Sequence, residues 1–259
     1  MGHGMSDRFD LAGRTVIITG GGKGIGKVYV EEFAKAGARV VAADVDGAAA
    51  KSVAETASAQ GLQVLGLTTD IASEESTKAM AQAALDRFGS IDVLINNASL
   101  MSVLPRRSWL EIPVEEWDRV MAVNLRGMFL SSRAVFPAMQ ARKRGKIVNI
   151  SSSRVWEGTP NRLHYTTSKA GVIGLTRALA REVAEFGITV NAVTPGMTQS
   201  ETQVQSSSAN YLATRVAGRA IERVEVPADL VGAVMFLSTG ASDFMTGQTI
   251  NVDGGKSMH

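Results

Sequence analysis

A serine, a tyrosine and a lysine in one stretch of this chain are able to move a proton together. The stretch SSSRVWEGTPNRLHYTTSK contains Ser152, Tyr165 and, one helical turn after the tyrosine, Lys169. Residues four apart share a helix face, so the lysine ammonium would lie beside the tyrosine phenol and favour its phenolate. The serine hydroxyl would hydrogen-bond the reacting oxygen. The spacing predicts acid–base chemistry on an alcohol or carbonyl, although Tyr-x-x-x-Lys alone is also typical of an ordinary helix face.

A glycine-rich turn near the start of the chain predicts a phosphate-binding site. The β-branched run Thr15–Thr19 predicts a buried strand, GGGKGIG follows it, and Lys27–Ala36 has a helical pattern. Glycines allow the backbone to turn sharply and approach a pyrophosphate, whose charge is met by the helix N-terminus. The spacing is Gly-x-x-x-Gly-x-Gly rather than the commoner Gly-x-Gly-x-x-Gly. The residues expected to bind the cofactor in this turn are Gly20, Lys23, Gly24, Ile25 and Gly26.

An aspartate at the end of the second predicted strand indicates which dinucleotide binds. Asp44 lies eighteen positions beyond Gly26, close to the distance at which an acidic residue meets the adenosine ribose. Its carboxylate would accept hydrogen bonds from the ribose hydroxyls and repel a 2′-phosphate. Lys23 favours the opposite choice, because a basic residue in the turn is able to contact that phosphate. We expect NAD rather than NADP, because the carboxylate would occupy the place of the phosphate.

These features, taken with further short motifs, make the chain resemble the short-chain dehydrogenases/reductases from about Leu11 to the C-terminus. The matching pieces are Thr19-Gly20-x-x-x-Gly24-Ile25-Gly26, Asp70, Asn96-Asn97-Ala98, Asn124, Ser152, Tyr165-x-x-x-Lys169, Asn191, Pro195-Gly196 and Val252-Asp253-Gly254-Gly255. The resemblance implies a catalytic tetrad of Asn124, Ser152, Tyr165 and Lys169. In that tetrad, Asn124 helps to hold a water that links Lys169 to solvent.

The resemblance also implies cofactor contacts and brings out two departures from the family pattern. It implies that Asp70 lies near the adenine and that Pro195-Gly196 borders the nicotinamide. The other residues expected to contact the cofactor are Asn97, Tyr165, Lys169 and Ser200. Ser200 stands where the family often has Thr, and the retained hydroxyl predicts that cofactor binding persists. Ser99 stands where the family usually has Gly, and it would narrow the space beside the active site.

Side chains near the predicted tetrad indicate an apolar, aromatic-lined cavity with a few polar groups, which suits a small ring-bearing alcohol or ketone. The candidate substrate residues are Ser153, Arg154, Trp156, His164, Met197 and Tyr211. Ser153 also competes for the role of catalytic serine, although it is one position too close to Tyr165. Arg154 or His164 would bind an anionic or phenolic group, and a surface role is an equally good interpretation. Three short segments resemble those of dehydrogenases that oxidise aryl secondary alcohols or pyridoxal-type alcohols.

Apolar runs alternate with helical segments along the whole chain. The predicted strands are Thr15–Thr19, Arg39–Ala43, Gln63–Thr68, Val93–Asn96, Lys146–Ile150, Thr189–Val193 and Thr249–Val252. The predicted helices include Ser73–Phe88, Val114–Gln140, Tyr165–Phe186 and Ala228–Leu237. This alternation predicts an α/β fold, a Rossmann-type doubly wound parallel sheet of about seven strands flanked by helices.

The domain organisation follows from the same pattern. Residues 1–10 are expected to form an N-terminal extension, and residues 11–259 a single dinucleotide-binding and catalytic domain. The segment Thr198–Arg219 breaks the alternation because it is rich in Ser, Thr and Gln. We interpret it as a mobile substrate lid that excludes water, in preference to an outer helix of the fold.

Composition excludes several other classes of protein. The chain has 259 residues, of which 45% are hydrophobic and 20% charged, and a net charge of +2. Its basic run Arg142-Lys143-Arg144 is better explained as a solvated helix end than as a nucleic-acid site. The three histidines lack a metal-ligand spacing and there is no cysteine, so no catalytic metal is expected. No apolar stretch approaches the ~20 residues that cross a bilayer, and no signal-peptide pattern is present, so we expect a cytoplasmic enzyme.

We therefore expect an NAD-dependent oxidoreductase that interconverts an alcohol, secondary or ring-bearing, and its ketone or aldehyde, with Tyr165 as acid/base. An NADPH-dependent ketoacyl-thioester reductase is one alternative, favoured by Lys23 and opposed by Asp44. A catalytically silent nucleotide-binding regulatory protein is another, opposed by the intact tetrad. The resemblance also implies a homotetramer, with Val114–Gln140 and Tyr165–Phe186 as candidate interface helices. A monomer in light scattering would contradict that last expectation.

Overall fold

Seven parallel strands form one sheet in the computed structural model, which describes residues 6–201 and 216–258. The strands are β1 (Thr15–Thr19), β2 (Arg39–Asp44), β3 (Val64–Thr68), β4 (Val93–Asn96), β5 (Gly145–Ile150), β6 (Ile188–Pro195) and β7 (Thr249–Val252). Their order across the sheet is β3-β2-β1-β4-β5-β6-β7. The chain winds outward from β1 to β3 and then returns to pair β4 with the other side of β1. The predicted doubly wound sheet is therefore confirmed.

Helices connect the strands and cover both faces of the sheet. They are α1 (Gly24–Lys35), α2 (Gly47–Ser58), α3 (Glu74–Phe88), α4 (Val114–Met121), α5 (Gly127–Ala141), α6 (Arg154–Glu157), α7 (Leu163–Val183) and α8 (Ala228–Ser238). Short 3₁₀ turns lie at Ser6–Phe9, Trp109–Glu111, Ala184–Phe186 and Gly240–Ser242. None of the described helices is both long enough and apolar enough to span a membrane.

Alternating side chains of the strands build two hydrophobic cores, one on each face of the sheet. Val16 and Ile18 of β1 enter the core that also contains side chains of α1, α2 and α8. Ile17 enters the opposite core, which contains side chains of α3, α5 and α7. Because both faces are covered, the strands need apolar residues at every position, which explains the continuous Val/Ile runs in the sequence.

One predicted helix is interrupted. The sequence predicts a single helix over Val114–Gln140, but α4 ends at Met121, Ala122–Arg126 forms a π-helical turn, and α5 begins at Gly127. A π turn keeps the direction of the helix while adding a residue to one turn, so apolar periodicity does not reveal it. Such turns are frequent at functional sites, and this one carries Asn124.

The segment predicted to be a lid, Thr198–Arg219, is described only at its two ends, because residues 202–215 lie outside the described residues. Thr198 Oγ1 donates to Glu225 Oε1 at 2.7 Å, and Arg219 Nη2 lies 3.5 Å from Glu225 Oε2. All three side chains are buried, and burial raises the pKa of Glu225 to about 6. Both ends of the segment are thus fastened to one buried carboxyl group, while the lid itself stays a prediction.

Candidate active site

A cavity of about 700 Å³ opens at the carboxyl ends of the strands. Residues at or just beyond the ends of β1 to β6 all contribute to its wall. Taken along the chain from β1 to β6, these residues include Gly20, Asp44, Thr69, Asn97, Ser151 and Gly196. Parallel α/β sheets bind ligands outside these ends, where the strand order reverses, and here the reversal lies between β1 and β4.

The backbone of the turn after β1 lies close to the cavity, because the glycines of this turn have no side chains. Gly20 has a φ of +66°, which is in the left-handed region that favours glycine. A Cβ atom on Gly26 would overlap the carbonyl oxygen of Gly20. The N-terminus of α1, at Gly24, lies at the same wall. Free N–H groups at a helix N-terminus attract anions, so this wall is suited to phosphate.

Side chains at the ends of β1 and β4 hold the glycine turn in place. Asn97 Nδ2 donates to the carbonyl oxygens of Thr19 and Gly20 at 3.0 and 3.2 Å. The Thr19 hydroxyl in return accepts the backbone N–H groups of Asn97 and Ala98 at 3.0 and 3.1 Å. Asn97, predicted to contact the cofactor, therefore also fixes the shape of the turn.

Asp44 is held rigidly at the end of β2. Its Oδ2 accepts the Gly22 N–H and its Oδ1 accepts the Asp46 N–H, each at 2.9 Å. Lys23 donates to Asp46 Oδ2 at 2.6 Å, and this hydrogen bond raises the pKa of Lys23. The cavity wall therefore presents the Asp44 carboxylate, while the charge of Lys23 is compensated by a second carboxylate.

The start of α1 is capped from a distant part of the chain. Its N-cap residue, Lys23, makes no side-chain capping bond, whereas Asp46 caps α2 and Ser73 caps α3. Glu201, which follows β6, supplies an acceptor instead, because the Gly24 N–H donates to Glu201 Oε1 at 3.2 Å. A carboxylate thus lies at the point where an anionic ligand is expected.

Ser152 and Tyr165 meet at the same cavity, and both are buried. Ser152 follows β5, and Tyr165 lies in the first turn of α7. Burial raises the pKa of Tyr165, which is then lowered in part by a hydrogen bond with Ser152, by the charges of Arg154 and Arg162, and by a hydrogen bond with Ser99. A tyrosine and a serine in contact are able to hold one substrate oxygen and to exchange a proton with it.

Lys169 lies one turn further along α7 and is only 1% exposed. Its Nζ donates to the carbonyl oxygen of Ile150 at 2.7 Å and lies 5.8 Å from the centre of the Tyr165 ring. Burial lowers the pKa of Lys169 to about 7. The ammonium is close enough to stabilise a phenolate at Tyr165, and its proton is weakly held near neutral pH.

Asn124 contacts the loop after β4 and is not among the residues that line the cavity. Its Oδ1 accepts the Leu100 N–H at 2.7 Å, and its Nδ2 donates to the Leu100 carbonyl at 3.2 Å and to Ser168 Oγ at 3.1 Å. Ser168 Oγ donates in turn to the carbonyl oxygen of Tyr165 at 2.7 Å. Asn124 therefore positions the first turns of α7, and its expected role in holding a water near Lys169 stays a prediction.

Four polar side chains, Ser153, Arg154, Glu157 and Lys256, form a part of the cavity that we name the α6 wall. Ser153 Oγ donates to Glu157 Oε1 at 2.8 Å, and Lys256 Nζ lies 2.8 Å from Glu157 Oε2. Arg154 is buried, and its Nη2 donates to two carbonyl oxygens of the following loop at 3.4 and 3.1 Å. Because a carboxylate engages the Ser153 hydroxyl, the geometry favours Ser152 as the serine that meets the substrate oxygen.

Most of the residues predicted from the sequence to form the site line this cavity. They are Gly20, Lys23, Gly24, Ile25, Gly26, Asp44, Asp70, Asn97, Ser152, Ser153, Arg154, Tyr165, Lys169, Pro195, Gly196, Met197 and Ser200. Two candidate substrate residues, Trp156 and His164, are not among its lining residues. Tyr211 lies outside the described residues.

The structure directs Trp156 and His164 toward other partners. Trp156 Nε1 donates to Thr194 Oγ1 at 3.4 Å. His164 is fully buried with its Nε2 3.2 Å from Glu116 Oε1, and burial lowers the pKa of His164, which favours its neutral form. His164 directly precedes Tyr165 on α7, and adjacent residues of a helix point in different directions. Nearness in sequence to the tetrad therefore did not place these two rings among the residues that line the cavity.

Sequence reasoning missed three polar residues of the site, Glu157, Lys256 and Glu201. Glu157 had a usable signal, because it lies four positions after Ser153, and such pairs contact each other on a helix. Lys256 lines the cavity and Glu201 contacts the cavity residue Gly24 only through the fold, so no local pattern could have identified them.

Comparison with models of protein families decides the family of this chain. The model described as short chain dehydrogenase matches residues 14–211. The chain belongs to the short-chain dehydrogenases/reductases. It is therefore an oxidoreductase of the short-chain type, a family whose members bind a nicotinamide dinucleotide.

Relatives of similar length agree with this assignment. The chain is 37% identical to the (2S)-[(R)-hydroxy(phenyl)methyl]succinyl-CoA dehydrogenase subunit BbsD of Thauera aromatica, over 96% of this chain and 98% of the relative. It is 38% identical to the probable galactose dehydrogenase GalD of Rhizobium meliloti (strain 1021), over 95% of this chain and 96% of the relative. The crystal structure of a short-chain type dehydrogenase/reductase from Mycobacterium marinum matches with a TM-score of 0.89 and 32% identity, covering 99% of this chain and 100% of that chain.

The residues at the cavity fit a nicotinamide dinucleotide. Because Gly26 has no Cβ atom, the glycine turn folds tightly, and the N-terminus of α1 faces the cavity with backbone N–H groups that are able to bind phosphate. Asp44 offers a carboxylate for ribose hydroxyls, and Lys169 and Tyr165 lie on the wall of the same cavity. This donor set, with phosphate, ribose and acid–base groups in one cavity, is the one that such a cofactor needs.

The glycine turn gives a direct test of the cofactor site. Gly26→Ala should raise the Kd for NADH at least about tenfold, because the new Cβ atom would overlap the Gly20 carbonyl and force the turn to shift. Gly174→Ala on α7 is the matched control, since a Cβ there meets no atom within 4 Å. Titration of NADH fluorescence measures both variants. Equal affinity in Gly26→Ala and the control would contradict the assigned phosphate site.

Proposed function

We propose that this protein is an NAD-dependent dehydrogenase that oxidises a secondary alcohol to its ketone and catalyses the reverse reduction. The observation that carries the proposal is that Ser152, Tyr165 and Lys169 line the same cavity as the glycine turn and Asp44. A proton acceptor and a hydride acceptor must act on adjacent atoms of one alcohol, so the two groups have to share one cavity.

Oxidation of an alcohol removes a hydride from the carbinol carbon and a proton from the hydroxyl oxygen. A bound oxidised nicotinamide would supply the hydride acceptor. Tyr165 in its phenolate form accepts that proton. Ser152 donates a hydrogen bond to the substrate oxygen and orients it, and Lys169 stabilises the phenolate. In the reverse direction, the Tyr165 hydroxyl returns the proton to the carbonyl oxygen.

Electrostatics around Tyr165 decide how readily it works as a base. Burial raises its pKa, and the Ser152 hydrogen bond and the charges of Arg154 and Arg162 lower it. The positive charges of Lys169 and of an oxidised nicotinamide act in the same direction as these arginines. Oxidation needs the phenolate, so its rate should rise as pH increases through the pKa of Tyr165 and should be lost below it.

The acidic end of β2 supports NAD as the cofactor. The carboxylate of Asp44 is fixed by two backbone N–H groups, and Lys23 is engaged by Asp46. Two like charges about 4 Å apart near a protein surface repel each other by about 4 kcal/mol, so a 2′-phosphate would be strongly disfavoured beside Asp44. Lys23 is the residue that favoured NADP, and its ion pair with Asp46 weakens that argument.

The α6 wall supports an alcohol that carries further polar groups. Of the described residues that line the cavity, only Tyr165 is aromatic, so the expected aromatic lining has little support. Glu157, Lys256 and Arg154 offer hydrogen-bond acceptors and donors of both charges to a substrate. One relative is named for a hydroxy(phenyl)methyl succinyl-CoA and another for galactose. We infer a secondary alcohol bearing hydroxyl or carboxyl groups, with or without a ring.

The two alternative functions are less well supported. A ketoacyl-thioester reductase using NADPH would need a site for the 2′-phosphate, which Asp44 opposes. A catalytically silent nucleotide-binding protein would have no need for a buried lysine beside Tyr165, since burying a charge is costly. The cytoplasmic location and the homotetramer expected from the sequence stay predictions.

Removing the proton acceptor tests the reaction itself. Tyr165→Phe should lower turnover of the alcohol by about 10²- to 10⁴-fold, because general acid–base catalysis is lost while the ring remains in place. The NADH affinity should stay nearly intact, because the variant loses only the hydroxyl of one of several residues expected to contact the cofactor. Tyr29→Phe is the matched control, since the buried Tyr29 hydroxyl has no hydrogen-bond partner among the described residues. Initial rates across pH measure the effect, and a Tyr165→Phe variant with wild-type rates would refute the assignment.

Charge at the end of β2 tests the choice of cofactor. The wild-type protein should prefer NAD over NADP by about 100-fold or more in kcat/KM, because Asp44 repels the 2′-phosphate. Asp44→Asn should reduce that preference at least about tenfold, mainly by improving the use of NADP. Asp86→Asn on α3, an exposed position away from the cavity, is the control. A wild-type preference for NADP would mean that Lys23, rather than Asp44, determines the choice of cofactor. It would favour the reductase alternative.

The α6 wall predicts which substrates respond to a change at Glu157. Glu157→Gln should raise KM about tenfold for sugars that are turned over, because a hydrogen bond from a sugar hydroxyl to a charged group is lost. The KM for 1-phenylethanol, which has no second polar group, should not change. Initial-rate measurements over a panel of both kinds of alcohol check this. Equal effects on both kinds, or turnover restricted to apolar alcohols, would contradict the inferred substrate class.

A further inference from the structure

Glu201 lies where the phosphates of a dinucleotide are expected. Its Oε1 accepts the Gly24 N–H at 3.2 Å, and Gly24 is the first residue of α1. Among the described residues, no lysine or arginine lies within ion-pair distance of Glu201, although the charge of Lys23 also attracts its carboxylate. The contact with the Gly24 N–H is therefore the close contact that holds Glu201. The carboxylate therefore uses the same attraction that a phosphate would use.

The start of α1 has no other means of satisfying its first N–H groups from within the helix. Lys23 makes no side-chain capping bond, and the first turn contains no acidic residue. In α2 and α3, which also begin near the cavity, this need is met locally, by Asp46 and by Ser73. A helix without a local cap is suited to exchange one anion for another at its N-terminus.

A carboxylate and a diphosphate cannot share this position without strong repulsion. Both are negative, and Asp44 and Asp46 already place two further carboxylates at the same wall. Lys23, the nearby cation, is engaged by Asp46 at 2.6 Å. The cofactor must therefore displace Glu201 from Gly24 before its phosphates are able to bind.

We propose that Glu201 is an affinity-determining residue, which competes with the diphosphate of the cofactor for the N-terminus of α1. In the free enzyme it caps the helix, and on cofactor binding it gives up that contact. The competition weakens cofactor binding and makes its release faster than the glycine turn alone would allow. The inference rests on dinucleotide binding, but on neither the choice of NAD nor the identity of the alcohol.

Two variants of the full-length protein test the competition. Glu201→Ala removes the competing carboxylate, and it should lower the Kd for NADH and for ADP by about 3- to 30-fold, the strength of a charge at a helix N-terminus. Glu201→Gln keeps an amide oxygen but loses the charge, so its effect should be smaller. Adenosine, which has no phosphate, should bind equally to all variants. Glu185→Gln, an exposed position outside the cavity, is the matched control.

The readouts separate competition from other roles of Glu201. Fluorescence titration gives Kd for NADH, calorimetry gives Kd for ADP and adenosine, and stopped-flow mixing gives the NADH release rate, which should be slower in Glu201→Ala. The melting temperature of Glu201→Ala should fall in the free protein and recover with saturating NADH, because the phosphates replace the lost cap.

Three results would overturn the proposal. Unchanged or weaker binding of NADH and ADP in both variants would show that Glu201 does not compete. Equal tightening for adenosine would indicate a general change of the cavity rather than competition for the phosphate position. If wild-type protein bound neither NADH nor ADP, the cofactor site itself would be refuted along with this inference, whereas wild-type binding without tightening in the variants would refute the role of Glu201 alone.

Discussion

Parallel pairing of β1 with both β2 and β4 is the constraint on which the rest of the site depends. Because all three strands run in the same direction, their carboxyl ends meet at one edge of the sheet, and the chain reverses its winding there. The glycine turn, Asp44 and Asn97 follow or end these strands, so one register places all of them at one cavity. The reciprocal hydrogen bonds between Thr19 and Asn97 then fix the backbone conformation at that edge of the sheet.

Burial sets the chemistry of the acid–base groups. Tyr165 and Lys169 are both buried on α7, and burial raises the pKa of the first and lowers the pKa of the second. Each shift favours the neutral form, so the free enzyme holds a phenol beside a weakly protonated amine. A cationic nicotinamide would favour the phenolate at Tyr165, which links the readiness of the base to the presence of the cofactor. Ser152 assists by accepting or donating a hydrogen bond as the charge changes.

Two charged features lie beside the proton-transfer groups. The α6 wall joins Glu157 to Lys256 from the C-terminal end of the chain, which makes the substrate side polar where an aromatic lining was expected. Glu201 caps α1 in place of a local residue. Both features place charge near the cavity without contacting Tyr165 or Lys169, and we propose that they influence which molecules bind and how tightly.

The amino-acid sequence by itself predicted the parallel sheet, the glycine turn and the placing of Ser152, Tyr165 and Lys169 at one cavity, because periodicity and short spacings report local structure. It also indicated NAD through Asp44, a residue at a strand end. Tertiary structure alone decided that Trp156 and His164 contact other partners, that Lys256 lines the cavity and that Glu201 caps α1. The physical reason is range: spacing along a helix or strand fixes the direction of neighbouring side chains, whereas contacts between distant segments depend on how the whole sheet and its helices pack.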